Sequence, residues 1–436
     1  MPQKLLQLVP PQVLHSAGQR TFRIRMRHFL QKCLEGDALV FADVQAFAND
    51  CGTELIEDSA SLRAWMWNVG CLDRAMRAGG TSIPLDAVDH LRVDASYRNR
   101  VGELLFWQLL GIVAGQALRS RRSFRFAVPH PPPECIQLDG IGRLTFGVER
   151  AFGQYVIHVE GHTCAIVVEG PAFCVNVDTS AEVASQDFAF SPSYRIASRT
   201  CLAFDNDTLC RQFFQPLPLL AGKTGNAQFG EQLRRCWSAL EASEIDGLTE
   251  ALGLCDSLIG LVSLSDCIGS GSREEALGLV FLPAGTDDVN LAECLVHESL
   301  HQFLFRIEES ADIFAPESSE AEHFYSPWRT DGRSLRMVLH GAFVFSGIAS
   351  LHINWCHQPQ STITGSLETA FRRVEESAMA LETVHRHGVL SAVGKKVVAA
   401  VEAEITHARS FLDERLFAGI RGAVRQRHNE FSTFIS

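Results

Sequence analysis

The sequence predicts an α+β protein that is predominantly helical, with a helical N-terminal region, a central antiparallel β meander and a helical C-terminal metal-binding region. Three observations carry that expectation. Apolar residues recur at three- and four-residue spacing over residues 22–123 and again beyond residue 222. Short β-branched and aromatic runs separated by glycines fill residues 142–204 between them. Two histidines stand four residues apart at His297 and His301, within a strongly helical pattern. The first two are the helix and strand periodicities, and the third is the spacing that stacks two side chains on one helix face.

In the N-terminal region, stretches such as "DALVFADVQAFANDCG" and "LRAWMWNVGCLDRAM" have helical spacing with no β-rich run between them. The basic stretch "RSRRSFR" at 119–125 reads as a solvated helix end or linker. At "VPHPPPECIQLDGIG" three consecutive prolines rule out a helix interior or a central strand, which sets a boundary near Pro131. The expected regions are therefore 1–130, helical; 131–215, β-rich; and 216–436, helical. In the β-rich region "RLTFGV", "YVIHVEG", "TCAIVVEG" and "AFCVNVD" read as meander strands joined by tight turns. His158 and His162 lie there, but Gly161 puts a turn between them, so they are read as surface or turn histidines.

Beyond residue 222, "GEQLRRCWSALEASEIDGLTEALGLCDSLIGLVSL" reads as one or two amphipathic helices. "GSGSREE" lacks the lysine and helix entry of a phosphate-binding loop and reads as a flexible turn. "ALGLVFLP" reads as a short strand leading into the histidine helix. The two long stretches after residue 363 read as a pair of amphipathic helices, the first ending at Gly388 as a C-cap.

The histidine helix, "TDDVNLAECLVHESLHQFLFRIEES", opens on Asp287, Asp288 and Asn290, all residues that cap helix N-termini. Val289, Ala292, Val296, Leu300, Phe303 and Ile307 form one apolar stripe. His297 and His301 occupy a different stripe and can converge on one ion. Glu298 is rotated about 100° away, so it reads as a base or as a residue that orients a ligand. The third ligand must come from downstream, where Glu317, Glu320, Glu322, His323 and His340 are the candidates. The competing reading is a pair of core histidines satisfied by hydrogen bonds.

The motif with "EHFYSPWRTDGRSLRMVLHGAFVFSGIASLHINW" at 322–355 resembles the 2-oxoglutarate-dependent HExxH-type peptide β-hydroxylases, which modify ribosomally made peptides. The resemblance is strong over residues 291–301 and 326–345 and looser from about residue 200 to the C-terminus. Where the family carries "DPRP", this chain has Asp331-Gly332-Arg333-Ser334 and lacks both prolines. The resemblance implies an Fe(II) oxygenase that uses 2-oxoglutarate and dioxygen to hydroxylate a side-chain carbon, Cβ, of a residue in a precursor peptide. It implies His297, His301 and His340 as iron ligands and Arg333, with Arg329, as the holder of the co-substrate. The residues themselves agree to this extent: a keto-diacid needs a fixed cation near the metal, and the planar fork of arginine suits a carboxylate. Surface ion pairing competes for the two arginines, and a satisfied core histidine competes for His340. Gly341 would let a neighbouring helix approach closely.

Two other readings stay open. One is a zinc metallopeptidase of the gluzincin type, with Glu298 as general base and Glu320 or Glu322 as third ligand. The other is a non-catalytic peptide-binding protein that adds a peptide strand to the meander. The chain of 436 residues has a formal charge of −12, which argues against a nucleic-acid partner. Its two longest apolar stretches carry Glu103 or internal histidines, so buried helices rather than membrane spans are expected. Thirteen scattered cysteines and no secretory signal predict a cytoplasmic protein.

Overall fold

The computed structural model describes residues 3–8, 57–79, 101–128, 130–133, 135–146, 155–160, 163–168, 172–175, 183–184, 188–197, 200–202, 223–243, 245–262, 269–316, 323–358, 363–413 and 418–435, with isolated positions between 21 and 47. Within these residues the protein is α+β and mostly helical. Helix α1 is Gln3–Leu6, α2 is Ala60–Gly79 and α3 is Val101–Ser120.

Two antiparallel four-stranded sheets follow, where a single meander was expected. The first pairs β1 (Phe124–Val128), β4 (Tyr155–Glu160), β5 (Thr163–Val168) and β6 (Ala172–Val175) in that order. The second pairs β2 (Cys135–Leu138), β3 (Gly142–Phe146), β8 (Phe188–Pro192) and β7 (Val183–Ala184). The prolines at 131–133 lie between β1 and β2, where the chain leaves one sheet for the other, so strand structure already begins at Phe124. Helix α3 is buried against both sheets through Phe106, Trp107, Leu110 and Val113. A Cβ at Gly111 or Gly115 would lie 2.4 Å from the Gln137 carbonyl oxygen or 2.3 Å from the Asp139 nitrogen, so these glycines let the β2 backbone rest on the helix.

The C-terminal part contains its own mixed sheet, in the order β12 (Gly271–Ser272), β13 (Leu279–Ala284), β11 (Ser257–Val262), β10 (Cys201–Leu202) and β9 (Tyr194–Arg195). β13, β11 and β10 run parallel. "SLIGLV", expected within a helix, is the central strand β11. A short run that is apolar on both faces has no period to distinguish strand from helix, and buried parallel strands have that composition.

α4 (Lys223–Glu241) and α6 (Asp288–Ser310) pack on this sheet, with α5 (Leu248–Leu252) against both; α7 (Leu335–His357) packs on α6, α8 (Leu367–His387) and α9 (Ala392–Arg409) pack on α7, and α10 (Ala418–Ile435) lies against α8. The N-cap of α6 is Asp287, whose carboxylate accepts the Asn290 backbone N–H at 2.8 Å. α7 is, among the described residues, the helix long and apolar enough to cross a membrane, and 83% of its apolar window is buried inside the protein. Buried charges join α6 to the segment that starts α2. Asp58 accepts hydrogen bonds from Arg63 (2.5 Å) and Arg306 (2.7 Å), and Arg63 also reaches Glu309 at 2.8 Å.

Candidate metal centre

His297 and His301 lie on one face of α6 with ring centroids 4.8 Å apart. α7 packs along α6 and brings His340 beside them. The His301 and His340 rings stack at 5.3 Å, with their Nδ1 atoms 3.1 Å apart. On its other side the fully buried His340 has Nε2 3.1 Å from Oε2 of Glu308. Glu308 also accepts hydrogen bonds from Arg336 Nε (2.9 Å) and Nη2 (2.6 Å). Burial would raise the Glu308 carboxyl, but these hydrogen bonds outweigh it and hold the pKa at about 2. An ionised carboxylate can only accept, so His340 donates its Nε2–H to Glu308 and its Nδ1 faces His301.

Both motif histidines are held neutral. Burial, reinforced by the Arg373 guanidinium, pushes His297 down to about 4. Burial, then the neighbouring His297 and His340, pushes His301 well below its ordinary value. Neutral imidazole is the metal-binding form. Glu298 does not join them. Its two oxygens accept hydrogen bonds from Ser270 Oγ (2.6 Å) and Ser272 Oγ (2.7 Å), and its nearest approach to His297 Nε2 is 3.9 Å. Burial lifts its pKa to about 7 against the lowering effect of both serines.

The donor set fits a transition metal such as iron or zinc. A separation of 3.1 Å is what two nitrogen donors adopt when each lies about 2.0–2.1 Å from one ion. A carboxylate behind one imidazole is the usual device that fixes the orientation and basicity of a ligand. Among the described residues no three His, Cys, Asp or Glu side chains are already drawn together as a metal site. The approach of His301 and His340 is the closest part of the arrangement, and His297 stands one turn away.

Arg329 and Arg333 lie on β15 (Arg329–Arg333), which pairs with β14 (Phe324–Ser326) in a hairpin. They share one strand face with Asp331 and both bind it, Arg329 Nε at 2.9 Å and Arg333 Nη2 at 3.1 Å. The cation next to His297 is instead Arg373 of α8. Its guanidinium lies 4.5 Å from the centroid of the Phe345 ring, which meets His297 edge-on at 5.0 Å and stacks on Trp328 at 4.6 Å. Arg373 Nη1 donates to Glu376 Oε2 at 2.9 Å, and the same oxygen accepts from Trp328 Nε1 at 2.9 Å. What approaches Gly341 is this indole rather than a helix: a Cβ there would lie 2.3 Å from Trp328 Cζ3.

Glu317, Glu320, Glu322 and His162 lie outside the described residues. His158 sits on β4, paired with Arg125 across β1 and β4. Sequence reasoning missed Glu308, the two serines, Trp328, Phe345 and Arg373. Glu308 had a legible signal, since it stands seven residues after His301 and therefore two turns along the same face. The "GSGSREE" segment, read as a flexible turn, forms strand β12 and holds Glu298. Nothing in the sequence ties Arg373 to the motif. No family model matches the chain, and comparison with curated proteins gives no match.

Proposed function

We propose that this protein is an Fe(II)- and 2-oxoglutarate-dependent oxygenase that hydroxylates a side-chain carbon, Cβ, of a residue in a ribosomally synthesised precursor peptide. The observation that carries the reading is His340, a third imidazole fixed by Glu308 with its free nitrogen 3.1 Å from His301. Three imidazoles suit ferrous iron and leave positions for small ligands. Bound iron, with 2-oxoglutarate and dioxygen, would supply the oxidant that converts C–H to C–OH, releasing succinate and carbon dioxide.

The residues of the chain would divide the remaining tasks. His297, His301 and His340 would hold the ion, and Glu308 would keep His340 in the tautomer that presents Nδ1. Phe305, against both His301 and His340, and Phe345, against His297, would exclude water from one side of the site. Ser270 and Ser272 would hold Glu298 away from the reacting centre. The resemblance assigns the co-substrate carboxylate to Arg333 and Arg329. A precursor peptide in the cytoplasm, with neither nucleic acid nor membrane as partner, completes the proposal.

One observation favours a zinc metallopeptidase, namely that Glu298 has its pKa near 7, where a general base works best. Its two oxygens are nonetheless both engaged by serine hydroxyls. The test is anaerobic loading with Fe(II) followed by 2-oxoglutarate, then mass spectrometry of a precursor peptide encoded beside the gene. A weak visible charge-transfer band and a gain of one oxygen atom are expected. Cleavage with uptake of water, and no spectral response to 2-oxoglutarate, would establish the peptidase instead.

A further inference from the structure

Four arginines, Arg336, Arg329, Arg333 and Arg373, are the candidates to receive a carboxylate, and their partners separate them. Arg336 lies against His340 through Glu308 and also pairs with Glu274, so two carboxylates already occupy it. Arg329, whose side chain is 57% exposed, and Arg333 share Asp331 on the hairpin. Arg373 differs in position. Its guanidinium and the His297 imidazole both lie within 5.0 Å of the centre of one ring, that of Phe345.

Arg373 is also held rigidly. The Phe345 face supports its plane, and Glu376, itself fixed by Trp328 Nε1, takes one Nη1 hydrogen bond. Among the described residues its Nε is buried without a hydrogen-bond partner. A buried donor of a charged group left unpaired costs free energy until an acceptor arrives. Arg333 Nε is unpaired as well, so what favours Arg373 is its place beside the ring that touches His297. The planar fork of an arginine clamped on one side is suited to receive a carboxylate on the other.

We infer that Arg373, rather than Arg333 or Arg329, binds the distal carboxylate of a five-carbon 2-oxo diacid whose keto-acid end lies at the histidine cluster. This rests on the functional reading above and changes the residue that reads the co-substrate. Phe345 would then be the spacer that sets diacid length, with His297 meeting its ring edge-on and the guanidinium over its face. Glu376 and Trp328 would be positioning residues for Arg373.

The test is calorimetric titration of 2-oxoglutarate, and of 2-oxopentanoate, which has the same chain without the distal carboxylate, into anaerobic Mn(II)-loaded protein. The wild-type protein should prefer the diacid by at least about tenfold. Arg373→Ala should erase that preference with manganese content unchanged, Arg373→Lys should keep part of it, and Arg329→Ala and Arg333→Ala should keep nearly all of it. A merely structural role for Arg373 would weaken both acids together. Preservation of the preference in Arg373→Ala, its loss in Arg333→Ala, or equal weakening of both acids would overturn this assignment and leave the oxygenase reading standing. If metal-loaded wild-type protein binds neither acid, the oxygenase reading falls and takes this assignment with it.

Discussion

Glu308 and His340 stand on different helices, α6 and α7, with Oε2 and Nε2 3.1 Å apart, and that contact decides which nitrogen of His340 faces the HExxH motif. A carboxylate that orients a ligand in this way is worth about 10–100-fold in metal affinity. Glu308→Ala should therefore weaken Fe(II) or Zn(II) binding by about that factor, read by competition with a chromophoric chelator. Unchanged affinity would remove His340 from the ligand set.

His340→Ala should lose bound metal, and turnover with it. His323, the other histidine candidate for third ligand, lies at the base of the β14–β15 hairpin against Gly332, so His323→Ala should retain the metal. Metal analysis of the two purified variants distinguishes them, and loss only in His323→Ala would reverse the assignment.

Glu298 separates the two chemistries. Hydroxylation deprotonates no water, and glutamine keeps the shape of the side chain between Ser270 and Ser272, so Glu298→Gln should retain substantial product formation. A peptidase would lose nearly all activity while keeping its metal. The comparison is made by mass spectrometry on the same peptide.

Gly341 is a packing requirement of the site. A methyl group there meets the Trp328 ring at 2.3 Å, and moving that ring disturbs both its stack on Phe345 and its bond to Glu376. Overpacking of this kind costs about 1–3 kcal/mol. Gly341→Ala should lower stability in urea by that amount, and Gly341→Ala with Trp328→Phe should lower it by less than the two separate losses combined.

Asp256 connects pH to stability at the junction between the sheet and α2. Burial, with the nearby Asp139 adding to it, raises its pKa to about 6; Oδ2 accepts the Ala60 N–H at 3.2 Å, while Oδ1 has no partner. For an acid whose folded pKa is raised, the folded state holds its proton longer than the unfolded state. The destabilisation is therefore absent below pH 3.8, grows between about 3.8 and 6, and is complete above that. Asp256→Asn should stabilise the protein at pH 7–8 by about 1–3 kcal/mol, and the gain should vanish toward pH 4. Urea titrations at the two pH values check it, and a gain independent of pH would exclude ionisation as its cause.

The sequence by itself determined the histidine helix. Asp287 caps it, the apolar stripe buries it, and the four-residue spacing puts His297 and His301 on one face; all three are local consequences of helix geometry. It also determined the long helices after residue 363, because their periods are unbroken over many residues, and the strand before the histidine helix, a short apolar run bounded by Gly278 and Gly285. It could not separate β11 from a helix, since so short an apolar run carries no period, nor divide the strands of 124–192 between two sheets, since pairing is a choice among partners distant in the chain. Tertiary structure alone decided the surroundings of the site. The packing of α7 on α6 pairs His340 with Glu308 and His301, β12 and the residue before it bring Ser272 and Ser270 to Glu298, and α8 sets Arg373 beside Phe345. The physical reason is that a helix fixes what lies three and four residues away, whereas contacts between elements depend on how whole faces pack, which no short stretch of sequence encodes.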